Sequence, residues 1–201
     1  LNPPRLAVLI DYQNVHLTGR DTFAPPGTLP QDTLIHPLRY AEEVLSERAD
    51  RQLNRRQQAA VLNYVAVYRG LPSNQREPRL YAASQAQRSE WCRDARVNVW
   101  YRTLRYPRYW PTEPAREKGV DVKLAIDLVK AAESGSYDVV VLASHDTDLE
   151  PAIEAAAALG RAKIETTGWA GAKRLRIPGR SLWHTSLDGA AFVRSRDRRL
   201  Y

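Results

Sequence analysis

The 201-residue chain has one cysteine, Cys92, and no methionine. A single thiol excludes an internal disulfide framework and a zinc site built on cysteine pairs, and it suits a reducing compartment, so a cytoplasmic location is expected. Long hydrophobic runs are also missing. The first apolar run, residues 6–10, is shorter than a signal-peptide core, and no uncharged stretch approaches the roughly 20 residues of a spanning helix, so no membrane association is expected. Lysine is scarce too: of 30 basic residues only five are Lys, against 25 Arg. Guanidinium forks match phosphate oxygens in pairs where an ammonium acts as a point charge, although GC-rich coding produces the same bias. What is present is ordinary for a folded chain: 43% hydrophobic and 26% charged residues, and length enough for one sizeable core. The formal charge of +7 points to a polyanionic partner.

Five segments rich in β-branched residues alternate with helical patterns, the mark of βαβ units around a parallel sheet. Strands are expected at residues 6–11, 60–68, 98–102, 138–143 and 162–167. The run 138–143 (DVVVLA) is apolar almost throughout, as in a strand covered on both faces. Helices are expected over residues 38–53, 84–95, 120–133 and 149–159, the second opened by a capping box of Ser84 and Gln87 and the last ended by Gly160. Three stretches break the alternation and read as additions to one domain spanning residues 1–201. Residues 18–37 are proline-rich, either a lid or a passive insertion. Residues 101–118 interleave Tyr101, Tyr106, Tyr109 and Trp110 with Arg102, Arg105, Arg108, Arg116 and Lys118, and their prolines argue against regular structure. Residues 169–201 form a basic C-terminal element, expected to hold a short helix and a strand ending at Phe192 and Val193.

Charge is unevenly distributed. Residues 119–160 carry a net −6, whereas residues 88–118 carry +4 and residues 161–201 carry +7. Within the acidic segment a buried strand runs into Ser144-His145-Asp146-Thr147-Asp148, placing two carboxylates at its C-terminal end, where parallel α/β sheets form their ligand crevice. Asp148 lies beside the N-terminus of the next helix, a position that equally suits a cap. The first strand delivers Asp11 and, one turn on, Asn14 to the same edge. Asp121 sits in the first turn of the helix opened by Lys118-Gly119-Val120. Taken singly, each Asp reads as a cap or turn residue. If the strands are neighbours, Asp11, Asp121, Asp146 and Asp148 converge, and four like charges then need a cation. An all-oxygen set without a His or Cys cluster suits Mg²⁺ or Mn²⁺.

Three segments stand in order along the chain: Leu9-Ile10-Asp11-Tyr12-Gln13-Asn14, Lys118-Gly119-Val120-Asp121-Val122-Lys123-Leu124-Ala125-Ile126-Asp127, and Ser144-His145-Asp146-Thr147-Asp148-Leu149. Together they resemble the NYN domain family of PIN-like metal-dependent ribonucleases, with its aspartate–asparagine strand end, Lys-Gly-x-Asp helix start and Ser-Gly-Asp-Ser-Asp-like loop. The resemblance covers residues 6–167, and residues 181–193 are similar to the family's closing element. It implies a three-layer α/β fold with a central, mostly parallel five-stranded sheet flanked by helices. It also implies that Asp11, Asp121, Asp146 and Asp148 bind the metal, with Asn14 and Ser144 in supporting hydrogen bonds. His145 stands where the family usually has Gly and is expected to be a solvated side chain. Asp127, about 240° round the helix from Asp121, is expected to be structural.

The activity so implied is a Mg²⁺- or Mn²⁺-dependent endoribonuclease that leaves 5′-phosphate and 3′-hydroxyl ends. The acids repel the RNA backbone, so the flanking basic segments must hold it. Lys118, Arg102, Arg105, Arg108, Arg174 and Arg176 are candidate phosphate contacts, and Tyr106, Tyr109 and Trp110 candidate base-stacking rings. Such rings favour single-stranded or loop RNA, with single-stranded DNA as a second possible substrate. The plainer readings are a solvated basic face and aromatics packed on the body. Two rival functions are an RNA- or protein-binding module of PIN-like fold with weak turnover, and a phosphatase. The second would need its Asp-x-Asp on the first strand rather than the fourth. A homo-oligomer is compatible with the sequence but not indicated by it.

Overall fold

A computed structural model describes residues 2–53 and 58–201. Six strands, β1 (Arg5–Asp11), β2 (Val61–Leu71), β3 (Val97–Thr103), β4 (Val139–Ala143), β5 (Lys163–Trp169) and β6 (Trp183–Leu187), form one sheet in the order β3-β2-β1-β4-β5-β6. Every neighbouring pair is parallel. The sheet therefore has six strands, not five. The sixth, WHTSL, is a half-buried edge strand without an apolar run, which is why its pattern does not announce it.

Alternation along the central strand divides the core. Leu6, Val8 and Ile10 of β1 point to a layer containing α1 (Tyr12–Phe23), α2 (Pro37–Leu53), the Trp91 end of α3 (Pro78–Trp91) and α6 (Gly189–Ser195). Ala7 and Leu9 point to the other layer, formed by α4 (Val120–Glu133) and α5 (Glu150–Ala158). Among the described residues no helix is long and apolar enough to cross a membrane.

Several local expectations are corrected. Residues 18–23 complete α1 instead of beginning an insertion; its buried stripe is Tyr12, Val15, His16 and Gly19, of which two carry no apolar signal. The proline-rich remainder is tied to the body. His16 Nε2 donates to the Pro30 carbonyl at 3.0 Å, the Tyr12 hydroxyl donates to the Ile35 carbonyl at 3.0 Å, and the Asp197 N–H donates to the Leu34 carbonyl at 2.7 Å. Ser84 and Gln87 are not caps but buried residues inside α3, which begins six residues earlier with a proline in its first turn and ends at Trp91. In the C-terminal element the strand precedes the helix. Phe192 lies within α6, packed against Phe23 and Trp169, and the Asp188 carboxylate caps that helix by accepting the Ala191 N–H at 2.9 Å.

One ion pair crosses the core. Arg48 of α2 is 2% exposed and Glu165 of β5 is 0% exposed. The guanidinium Nε and Nη2 donate to the two carboxylate oxygens at 2.7 and 2.9 Å, and Nη1 donates to Gln52 at 2.7 Å. Lys163 approaches the same carboxylate at 2.9 Å. Removing Arg48 leaves the buried Glu165 carboxylate with the half-exposed Lys163 alone. Arg48→Met is therefore expected to cost about 3–5 kcal/mol in urea unfolding, and the double variant Arg48→Met/Glu165→Met to cost less than the single one.

Burial also pushes the His16 imidazole down to about 4, below its ordinary 6.5. The neutral ring is the folded form, so the unfolded chain binds the extra proton between those values and stability falls as pH drops through that window. His16→Gln keeps an N–H for Pro30 but cannot titrate. Between pH 7 and pH 4 it is expected to lose less stability than the parent chain, by on the order of 2–3 kcal/mol in urea melts.

Candidate metal centre

The chain reverses its direction of strand addition between β1 and β4, which adjoin in register through Ile10 and Ala143. The C-terminal ends of those two strands thus border the crevice of a topological switch point. β1 ends in Asp11, which is 3% exposed. β4 leads directly into Ser144, whose hydroxyl donates to Asp11 Oδ2 at 2.8 Å and accepts the Asp146 N–H at 3.0 Å. Asp146 Oδ1 accepts the Asp148 N–H at 3.0 Å, capping a short 3-10 turn, Thr147–Leu149. Asn14 Oδ1 accepts the His145 N–H at 2.8 Å, tying α1 to the same loop.

Asp11, Asn14, Asp121 and Asp146 line one crevice of about 320 Å³, together with Gln13 and Glu117. Asp148 is exposed and does not line it, although its charge joins that of Asp146 in acting on Asp121. Asp127 lies apart, accepting the Tyr68 hydroxyl at 2.8 Å and Lys123 Nζ at 2.6 Å. Burial pushes the Asp11 carboxyl up to about 7; the Ser144 hydrogen bond opposes this, and the charges of Asp121 and Glu117 add to it. Burial likewise raises Asp121, with the charges of Asp146 and Asp148 adding to it, and burial raises Glu117.

Glu117 has no counterpart in the sequence reading. It sits in a stretch read as basic, with no strand end or helix cap to single it out. The Gly70 N–H at the end of β2 donates to its carboxylate. A Cβ at Gly70 would crowd Leu104 Cδ2 and lie 2.9 Å from Glu117 Cγ, so both side chains would have to shift to admit one.

His145 is not solvated. It is 9% exposed, its Nδ1–H donates to the Lys173 carbonyl at 2.8 Å, and its Nε2 accepts the Trp169 N–H at 3.3 Å. The ring occupies the space a Cβ would need at Gly168, 2.3 Å from the ideal position. Its partners lie more than 20 residues away, on the far side of α5.

The basic and aromatic candidates divide into groups. Lys118 and Arg105 line a recess of about 300 Å³ that shares Glu117 with the crevice. Arg102 lines a different hollow beside α4. Arg108 and Tyr109 are both exposed, the guanidinium 5.8 Å from the ring centroid. Trp110, expected as a base-stacking ring, packs edge-on against Tyr106 at 5.5 Å, and the Tyr106 hydroxyl accepts the Ser73 N–H at 2.7 Å and donates to Glu77. Both rings are half-buried. Arg174 and Arg176 stand outside the acidic crevice. Arg174 lines a groove with Lys163, the first residue of β5, and with Trp183, the first of β6, whereas the Arg176 N–H donates to Glu150 at 2.9 Å.

Among the described residues no three His, Cys, Asp or Glu side chains are close enough to grip one bare ion. The donor set is nevertheless all-oxygen, anionic and partly buried. It fits a hard cation that keeps part of its hydration shell and is held through one or two carboxylates.

Sheet order and helical layers define a parallel α/β protein with an acidic crevice at its switch point. The model of the NYN domain matches residues 5–174, and the chain belongs to the NYN domain family, whose members are generally ribonucleases. A crystal structure of a protein of unknown function from Vibrio parahaemolyticus shares the fold, with a TM-score of 0.53 and 17% identity, over 86% of this chain and 85% of that one. No curated protein matches the chain.

Asp11→Asn keeps an acceptor for Ser144 while removing the most deeply buried charge of the crevice. In EDTA at pH 8 it is expected to stabilise the protein by on the order of 1–2 kcal/mol in denaturant unfolding, because a desolvated charge beside like charges is relieved.

Proposed function

We propose that the protein is a metal-dependent endoribonuclease that cuts single-stranded or loop RNA to leave 5′-phosphate and 3′-hydroxyl ends. One observation carries the reading: Asp11, Glu117, Asp121 and Asp146, from three separate parts of the chain, share one crevice, and Glu117 also borders the recess of Arg105 and Lys118. Asp11, Asp121 and Asp146 would hold a partly hydrated Mg²⁺ or Mn²⁺, one or two of them directly and the rest through its bound waters, with Asp148 and Glu117 adding negative potential. Held there, the ion would supply an activated water and would neutralise charge on the reacting phosphate. Ser144 holds Asp11 by its hydroxyl and the Asp146 backbone by its oxygen, so one side chain sets the spacing of two acids. Asn14 fixes the loop that carries Asp146. Lys118 and Arg105 offset the repulsion between the acids and the incoming backbone, and Arg108 with Tyr109 offers a second exposed contact.

A second reading, an RNA-binding module with little turnover, draws support from the absence of a direct three-carboxylate chelate among the described residues. Labelled single-stranded RNA and DNA, incubated with Mn²⁺, Mg²⁺ or EDTA, separate the two. RNA is expected to be cut with either ion, not in EDTA, and roughly 100-fold more slowly by Asp146→Asn. Ligation of the downstream product without prior phosphorylation checks its 5′ end. Cleavage that survives EDTA excludes the metal mechanism, whereas metal-independent binding without cleavage selects the binding module.

A further inference from the structure

A third hollow borders the metal centre. It has a volume of about 190 Å³ and is lined by Tyr68, Trp100, Arg102, Val120 and Lys123, with Arg69 and Tyr101. Its origin is the pleat of an edge strand. Val97 and Val99 of β3 point into the core, so Trp100, the next residue after Val99, points to the opposite face, where α4 packs over β1, β2 and β4. Trp100 stands beside that helix, 42% exposed. Asp127 organises the wall: it accepts the Tyr68 hydroxyl at 2.8 Å and holds Lys123 Nζ, which lies 4.5 Å from the Trp100 ring centroid. The Arg102 guanidinium lies against Gly119, 3.1 Å from where a Cβ would be. An aromatic surface with cations around it is the chemistry that receives a base and its neighbouring phosphates.

Position sharpens the match. Glu117 and Lys118 line the basic recess, Asp121 lines the acidic crevice, and Val120 lines this hollow. All three thus border the segment 117–121, and adjacent Cα atoms are only about 3.8 Å apart. We propose that the hollow binds one unpaired nucleobase of the RNA strand that crosses the metal centre, with the base against Trp100 and the flanking phosphates against Arg102 and Lys123. The proposal rests on RNA being the substrate of the neighbouring crevice. Its volume suits a single base, below the usual range for drug-sized ligands. A duplex, whose bases remain stacked in pairs, could not fill it.

The test is fluorescence polarisation of short labelled single-stranded RNAs in EDTA, each with one abasic nucleotide at a different position, against the parent chain, Trp100→Ala and Trp100→Phe. One abasic position is expected to weaken binding to the parent roughly tenfold. Trp100→Ala should weaken the intact RNA by a similar factor and abolish the dependence on that position, and Trp100→Phe should restore both. A flat abasic scan, or a position dependence that Trp100→Ala retains, overturns the proposal, as does an absence of RNA binding. Position-dependent binding by a protein that leaves RNA uncut in Mn²⁺ supports the hollow and overturns the nuclease reading. Cutting with a flat scan does the reverse.

Discussion

The hydrogen bond from Ser144 to Asp11 spans 133 residues of chain and closes the seam on which the rest of the site depends. It exists because β1 and β4 run parallel in adjoining register, so that their last residues reach the same level of the sheet. Through Ser144 the seam also sets the Asp146 backbone, and through Asn14 it ties α1 to the β4 loop. The strand order reverses at this seam, leaving room above it that helices fill elsewhere. A change in register of one residue between the two strands would turn Asp11 to the opposite face and dissolve the centre.

This seam concentrates acid in a protein that is basic overall. The +7 of the whole chain hides a central −6 whose acids stay largely exposed, and folding brings Asp121 and Asp146 of that segment to the buried Asp11. Burial and mutual repulsion raise the pKa values of Asp11 and Asp121 from their ordinary values. Such a cluster works against the stability of the ion-free fold, as functional sites commonly do. The rest of the sheet supplies stability by ordinary means, with both faces covered and a buried Arg48–Glu165 pair securing α2 to β5.

The basic residues are not a uniform halo around the acids. Arg105 and Lys118 adjoin the crevice, Arg102 and Lys123 edge the aromatic hollow, and Arg174 faces another groove. Segment 117–121 is the junction of the first two groups with the acidic crevice. Its glycine and its neighbours explain why the Lys-Gly-x-Asp motif is compact: one turn of chain must present an acid, a base and the start of a helix together. Membership of the NYN domain family fits this economy of layout, while the weak identity to the Vibrio protein shows how far sequences diverge within the fold.

Periodicity alone was enough for the parallel α/β class, the β4 run and α4, because strongly apolar, regularly spaced segments leave little choice of partner surface. That Asp11, Asp121 and Asp146 border one crevice was legible as well, since each stands at a strand end or helix start, whereas Asp148, read in the same way, lies outside it. Elements built on polar or mixed residues were not: α1 buries His16 and Gly19, β6 is a half-buried edge, and the body of α3 holds the Ser84 and Gln87 that mimic a cap. What only the tertiary structure decided was proximity. Glu117 joins the crevice because Gly70 admits it, His145 is buried because Gly168 leaves space for its ring, and Trp110 packs on Tyr106 while Trp100 stays open. Residue type and spacing determine which chemistry a chain carries; sheet order and close approach determine which of those groups meet, because contacts between distant residues leave no local pattern.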